Sequence, residues 1–442
     1  MVGKGTSVAG ATETRRPLLI GAEVPDARRA APHRQSAAQE RRALRKFVRR
    51  IIAFAVPIVV VLATVELLWW RVGETWPLER VIRRQALNTG LIFCRAIFDQ
   101  GTFRYKYLQV LRRKPGILVV GSSRAMQFRS EMFGRQSSLF YNAGGIVHSL
   151  TDLSGFIDYL PAEATPKTMI LAVDFWWLNE DDKGDVASTF SRRVDEDGAY
   201  RWQGHALGIS TYLRDWHQFR QLVRCSIGKR YNPDAIGLQA AMVGGGFRID
   251  GSRRFVTKIP TTPEGWNHRR PREAVVANRI RYGGRRFEFT PGISRPREEL
   301  LSQILVKLKD RGVFVVAYSP PLITECARLM ASHPRQKQFW NQYHTELPTL
   351  FRALNIPYID MSTPADVGLD DRYMLDPLHP HETFDLYLLQ RLCLIPEVRA
   401  AFPDVPQIAR KVLASPRTNP LFPDLAGGEK LTSQESANSD ED

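Results

Sequence analysis

The run IIAFAVPIVVVLATVELLWW, from Ile51 to Trp70, constrains this chain more than any other stretch: twenty residues carry one charge, Glu66. As a helix rising about 1.5 Å per residue it would be ~30 Å long, the thickness of a bilayer's hydrocarbon core. A soluble helix would show a polar face, and this run has none. A cleaved leader has a shorter apolar region nearer the start. Arg41, Arg42, Arg45, Lys46, Arg49 and Arg50 precede it, a cluster that stays on the cytoplasmic side. Trp69 and Trp70 fall where an interfacial aromatic belt would lie. Glu66, near that end, is placed to snorkel or to face a partner helix. The sequence therefore reads as a transmembrane signal anchor over 51–71, with everything after Arg71 outside the cytoplasm.

The formal charge of +16 over 442 residues points to a polyanionic partner: nucleic acid, anionic lipid headgroups or an acidic polysaccharide. No zinc spacing and no RNP-like block accompanies it, so no nucleic acid is expected; outside the cytoplasm, lipid and polysaccharide remain. Residues 1–50 hold twelve Lys and Arg against four Asp and Glu, without periodicity, and read as a disordered basic cytoplasmic tail. Residues 401–442 end in SANSDED and read as a second, largely disordered tail. Cys94, Cys225, Cys326 and Cys393 are far apart and lack metal-ligand spacing, which leaves two disulfides open in an oxidising compartment. No metal and no cofactor is expected.

Between the tails the texture changes twice. Residues 72–114 have an amphipathic helical pattern, a juxtamembrane connector. From Pro115 strands and helices alternate. GILVV (116–120), LFYNAGG (139–145), TMILAVDFWWLN (168–179), VFVVAYS (313–319) and IPYIDM (356–361) read as strands and their exits. SRAMQFRSEMF, SLTDLSGFIDYL (149–160), REELLSQILVKLKDRG (297–312), a stretch near 337–354 and HETFDLYLLQRL (381–392) read as helices. Five such strands predict an α/β domain over 115–400 with a mostly parallel five-stranded sheet covered on both faces. Residues 180–294 break the alternation and are strongly basic, a large insertion into that domain.

In an open parallel sheet, chemistry gathers at the carboxyl ends of the strands. Ser122 and Ser123 stand at the end of the first strand, behind Gly121. One of them is available to cap the following helix. A serine nucleophile needs a base, and the base needs a carboxylate to fix its tautomer. Asp376-Pro-Leu-His379 puts both on one turn, stiffened by Pro377 and Pro380, just before the last domain helix. His381 is a rival base and more naturally a cap for that helix. Candidate oxyanion donors are the N–H groups of Ser123 and of Gly144 in the loop Asn142-Ala143-Gly144-Gly145. Arg124 is a candidate grip for an anionic substrate. Asn142, Asp174 and Trp176 are further substrate-binding candidates, Trp176 as a surface for stacking on sugar rings.

On these residues the chain resembles the SGNH/GDSL hydrolase superfamily. VVGSS lines up with its Gly-Asp-Ser block and puts Ser123 in the nucleophile's place. Gly144 falls on the oxyanion glycine, and Asp376 and His379 on the terminal Asp-x-x-His. Ser122 replaces the usual aspartate. The third-strand Gly-x-Asn-Asp signature is missing, with only Asp174 and Asn179 nearby. The resemblance implies a three-layer, flavodoxin-like SGNH-type domain. The Gly-Ser-Ser variant behind one anchor is more similar to the branch containing the teichoic acid D-alanine transfer protein and the alginate O-acetylation proteins. That branch implies a bacterial inner-membrane protein with a periplasmic domain. It would be a serine esterase or O-acyltransferase on a cell-envelope polysaccharide, working beside a membrane-bound O-acyltransferase. The α/β-hydrolase fold also runs Ser…Asp…His, but there several strands precede the serine. A catalytically inactive scaffold of the same fold, binding a glycan or an acyltransferase, is the alternative of another class.

Overall fold

The structure, a computed structural model, describes residues 37–97, 102–181, 199–228, 232–255, 270–414 and 422. The basic tail up to residue 36 and most of the segment after 414 lie outside the described residues. Residues 1–62 and 63–442 form separate compact units.

Helix α1, Ala37–Val72, begins inside the expected tail and carries the apolar run. It is long and apolar enough to cross a membrane, with a mean hydropathy of 2.7 over its best window. Phe54, Val59, Val61 and their neighbours are exposed among the described residues. That arrangement suits hydrocarbon and is costly in water.

Within 63–442 the stretch read as a connector contains α2 (Leu78–Leu87), a two-residue strand β1 (Ile92–Phe93) and α3 (Thr102–Arg113). Then come β2 (Ile117–Val120), β3 (Phe140–Asn142), α4 (Leu150–Tyr159) and β4 (Thr168–Ala172). The helix expected between β2 and β3 is instead a single 3-10 turn, Ser123–Ala125, and a kinked 3-10 stretch, Ser130–Leu139. Gly134, with φ of 56°, interrupts the latter.

The insertion supplies α5 (Ala199–Arg214), α6 (Trp216–Ser226), β5 (Ala235–Ile236), α7 (Leu238–Val243), β6 (Gly246–Phe247), β7 (Arg253–Arg254) and α8 (Arg270–Tyr282). The alternation resumes with α9 (Arg295–Asp310), β8 (Phe314–Tyr318), α10 (Thr324–Ser332), α11 (Lys337–Ala353) and β9 (Tyr358–Ile359). Last are α12 (Glu382–Leu392), α13 (Pro396–Ala401) and α14 (Val405–Leu413). Helix α14 falls where the sequence suggested a tail. Its Val405 and Ala409 are buried against Phe402 and the sheet, which is why it is ordered.

The main sheet runs β3-β2-β4-β8-β9, and every pairing is parallel. Counting only its own strands this is the order 2-1-3-4-5, whose topological switch lies between β2 and β4. Alternating residues separate its two faces. Leu118, Val120, Met169, Leu171 and Val315 meet α4, α9 and α11 through Phe156, Leu305 and Tyr343. Ile117, Val119, Ile170, Ala172 and Val316 meet α12 and α14 through Phe384, Leu389 and Val405. Helices thus cover both faces, as continuous apolar strands require. A second, four-stranded sheet, β5-β1-β6-β7, joins the insertion to the connector. All four cysteines are buried, and none is joined in a disulfide.

Lys106 on α3 is the polar pin of this half. It is fully buried, and its three N–H bonds reach the carbonyls of Asn142 (2.9 Å), Gly144 (2.7 Å) and Gly251 (2.7 Å). It thereby ties the insertion to the loop after β3. Lys106→Met is expected to orphan three buried carbonyls and cost about 3 kcal/mol or more. Thermal unfolding of the full chain in detergent would measure the loss.

Candidate active site

Gly121 ends β2 because nothing larger fits: a Cβ there would lie 2.7 Å from the Ala172 Cβ at the end of β4. The constraint is close approach across the switch point, since Gly121 shows no positive φ. The two serines then divide their roles. Ser122 is buried, and its hydroxyl caps the 3-10 turn by accepting from the Arg124 N–H at 3.3 Å. Ser123 faces the other way, with Oγ 2.9 Å from His379 Nε2 across 256 residues of chain.

The His379 ring is held from behind. Its Nδ1 lies 2.8 and 2.9 Å from the two Asp376 oxygens. Asp376 Oδ1 also accepts the Leu378 and His379 backbone N–H groups at 2.9 and 3.0 Å, so the Asp-Pro-Leu-His turn is knit by its own carboxylate. Burial alone would push the Asp376 carboxyl up. The His379 contact and the two amides outweigh it and hold the group at about 2. Both side chains keep some access to solvent, 22% for His379 and 19% for Asp376. An ionised carboxylate behind Nδ1 fixes the tautomer that leaves Nε2 free to take the serine proton.

The structure places the other candidates differently. Arg124 is 1% exposed and not open to a substrate. Its guanidinium binds Asp174 at 3.1 Å, the Leu378 carbonyl at 2.9 Å, and the carbonyls of Pro320, at 2.7 Å, and Pro321. It clamps the exits of β4 and β8 to the His379 turn. Asp174 is fully buried in this pair; burial raises its pKa and the Arg124 charge opposes the rise. Asn142 is also fully buried. Its Nδ2 donates to the Ala125 and Phe128 carbonyls, both at 2.9 Å, and its Oδ1 accepts the Gly144 N–H at 2.7 Å. The Gly144 amide assigned to an oxyanion is therefore engaged inside its own loop, and Ser123 N–H is left as the candidate donor. Trp176 is 2% exposed, packed on Phe175, with Arg124 and Arg286 over its ring. It offers no open face to a sugar. His381 caps α12, accepting the Thr383 N–H at 3.1 Å.

Sequence reasoning missed two groups at the rim, both from the insertion. The Phe255 ring lies 6.4 Å from the His379 ring, with Arg253 over it at 5.0 Å. Arg272, two-thirds exposed, reaches to 3.9 Å from Asp376 Oδ2. It also missed a second constellation: Ser362 Oγ lies 3.0 Å from His344 Nε2, and His344 Nδ1 lies 2.8 Å from Asp360. There the Ser362 and Thr363 amides both donate to the Asp366 carboxylate. A negative charge sits where an oxyanion would need donors, and Asp360 also accepts from Ser319 and Tyr358. That cluster closes the end of β9.

Comparison with protein-family models, with curated proteins and with solved structures found no match to this chain.

Two outcomes follow from the site's electrostatics. Arg124→Met leaves Asp174 as an unpaired buried charge. It is expected to cost about 3–5 kcal/mol in thermal unfolding, with part recovered in the Arg124→Met/Asp174→Asn double variant. Asp376 has a depressed folded-state pKa, so its contribution is present above the unfolded value near ~3.9 and is lost as pH falls through about 2. The stability advantage of wild type over Asp376→Asn, of order 2 kcal/mol at neutral pH, is expected to close between ~pH 4 and ~pH 2 in unfolding titrations.

Proposed function

We propose that this protein is a membrane-anchored, extracytoplasmic SGNH-like serine acyl-esterase or O-acyltransferase that acts on a cell-envelope glycan. The observation that carries the reading is the unbroken relay from Ser123 Oγ through His379 to Asp376 at the carboxyl end of β2. In the proposed reaction Ser123 Oγ attacks the carbonyl carbon of an acyl ester while His379 Nε2 takes its proton. The Asp376 carboxylate stabilises the imidazolium, and Ser123 N–H donates to the developing oxyanion. The tetrahedral adduct expels the alcohol, which takes the proton from His379, and leaves the acyl group on Ser123. Water or a sugar hydroxyl then gives its proton to His379, attacks the acyl-serine, and restores the free hydroxyl.

The anchor helix, long and apolar enough to span a bilayer, supports placement in a bacterial inner membrane with residues after 71 in the periplasm. Transfer, as opposed to hydrolysis, requires an acyl donor reaching that side, which fits a membrane-bound O-acyltransferase as partner. The missing third-strand signature and the engaged Gly144 amide favour a second reading, a non-catalytic scaffold for the glycan or that partner.

A fluorophosphonate probe is expected to label wild type stoichiometrically and Ser362→Ala equally, and to leave Ser123→Ala and His379→Ala at background. Mass spectrometry of the intact chain reads the adduct. In cells, Ser123→Ala is expected to abolish glycan acylation at unchanged protein level. Normal acylation in both Ser123→Ala and His379→Ala, with no labelling of folded wild type, would establish the scaffold reading instead.

A further inference from the structure

The aqueous end of the apolar run packs against the insertion. Val65, Leu68, Trp69 and Val72 of α1 share a buried cluster with Tyr212 of α5, Leu222 and Cys225 of α6, and Leu238. Gly208 lets α5 approach, since a Cβ there would lie 2.5 Å from the Trp69 ring. Polar contacts fix the register: Trp69 Nε1 donates to Tyr212 OH at 2.8 Å, and Ser226 Oγ donates to the Leu68 carbonyl at 3.1 Å. Glu66, the charge within the run, lies 2.8 Å from His205 Nε2. The α5–α6 hairpin is thus bolted to the level at which the helix loses its apolar character.

Its outer surface is not what a solvated hairpin shows. Leu213 is 83% exposed, Trp216 66% and Ile227 63%. Trp216 opens α6 on the side away from the buried Leu222 and Cys225, and Ile227 is the residue that follows its end. Arg214, Arg220 and Arg224 are exposed among them. Each such apolar side chain left in water forgoes about 1.5–3 kcal/mol. Large apolar residues with interleaved arginines match the headgroup boundary, where tryptophan partitions and cations meet anionic lipid.

We propose that the α5–α6 hairpin is an interfacial docking element. It seats Leu213, Trp216 and Ile227 in the headgroup and upper acyl region of the leaflet where α1 emerges, with the arginines on lipid phosphates. Continuity with the anchor selects lipid as the occupant: the hairpin packs directly on Val65, Leu68, Trp69 and Val72, the closing turns of the apolar helix. The inference rests on the reading of α1 as an anchor, independently of any acyl chemistry.

Spin-label accessibility separates the two. All four native cysteines are buried, so Leu213→Cys, Ile227→Cys, Phe54→Cys and Leu394→Cys can be labelled one at a time in the full chain, with unsubstituted protein as the blank. Phe54 is exposed in the first turn of the apolar run, and Leu394 is exposed on the sheet domain. In nanodiscs of phosphatidylcholine with phosphatidylglycerol, Phe54 should collide with oxygen and not with a water-soluble nickel chelate, and Leu394 the reverse. The ratio of oxygen to nickel collisions at Leu213 and Ile227 is expected to exceed that at Leu394 several-fold. Ratios equal to Leu394, with Phe54 still bilayer-like, would overturn the docking proposal and leave the anchor intact. Labels shielded from both reagents would overturn it in favour of a protein partner, a second copy of this chain. A water-like Phe54 would overturn the anchor itself.

Discussion

One buried guanidinium holds the candidate site together. Arg124 follows Ser123 directly in sequence, yet it points away from solvent into the junction of three strand exits. Its partners are a carboxylate after β4, two carbonyls after β8 and the Leu378 carbonyl beside His379. A lysine would present a point charge where this junction needs a planar fork with several donors. A buried cation with its acceptors satisfied is stiff, because moving any one of them exposes a charge to a low-dielectric interior. The 2.9 Å contact between Ser123 and His379 is the by-product of that stiffness.

Other buried polar pins extend the frame outward. Lys106 and Asn142 together consume the polar groups of the loop after β3: one ties its carbonyls, the other its Gly144 amide. This rigidity has a chemical consequence, since a loop whose N–H groups are spent on itself has few left for an oxyanion. The two serine–histidine–aspartate clusters make the same point. Their heavy-atom distances are nearly the same, but at Ser362 an aspartate occupies the flanking amides. Distances within a relay do not alone define a nucleophile; the donors around the oxygen to be formed decide.

Much of the sheet was legible in the sequence because buried parallel strands must be continuously apolar, as ILVV, TMILA and FVVAY are. The helix after β2 was misread because SRAMQFRSEMF has helical periodicity, while the close crossing at Gly121 and the break at Gly134 allow only 3-10 turns there. The charge of the insertion marks it only as a strongly basic break in the alternation. Its short strands, two residues each, are below the length at which periodicity can be seen; β5 and β6 pair with β1 of the connector, and β7 pairs with β6. Helix α10 carried no signal strong enough to separate it from the loop after β8.

By itself the sequence determined the apolar run that only a membrane or a core could accept, the parallel α/β alternation, and the Asp376–His379 pair, since a spacing of three residues on one turn brings acid and base together without help from the rest of the chain. Only the tertiary structure decided which serine faces the histidine. It also decided that Arg124, Asn142, Asp174 and Trp176 are packed inside, and that Phe255 and Arg272 of the insertion reach the rim. The physical reason is separation along the chain: local chemistry fixes caps and turns, whereas burial and partner choice at the site depend on strands and loops far apart in sequence arriving at the same edge of the sheet.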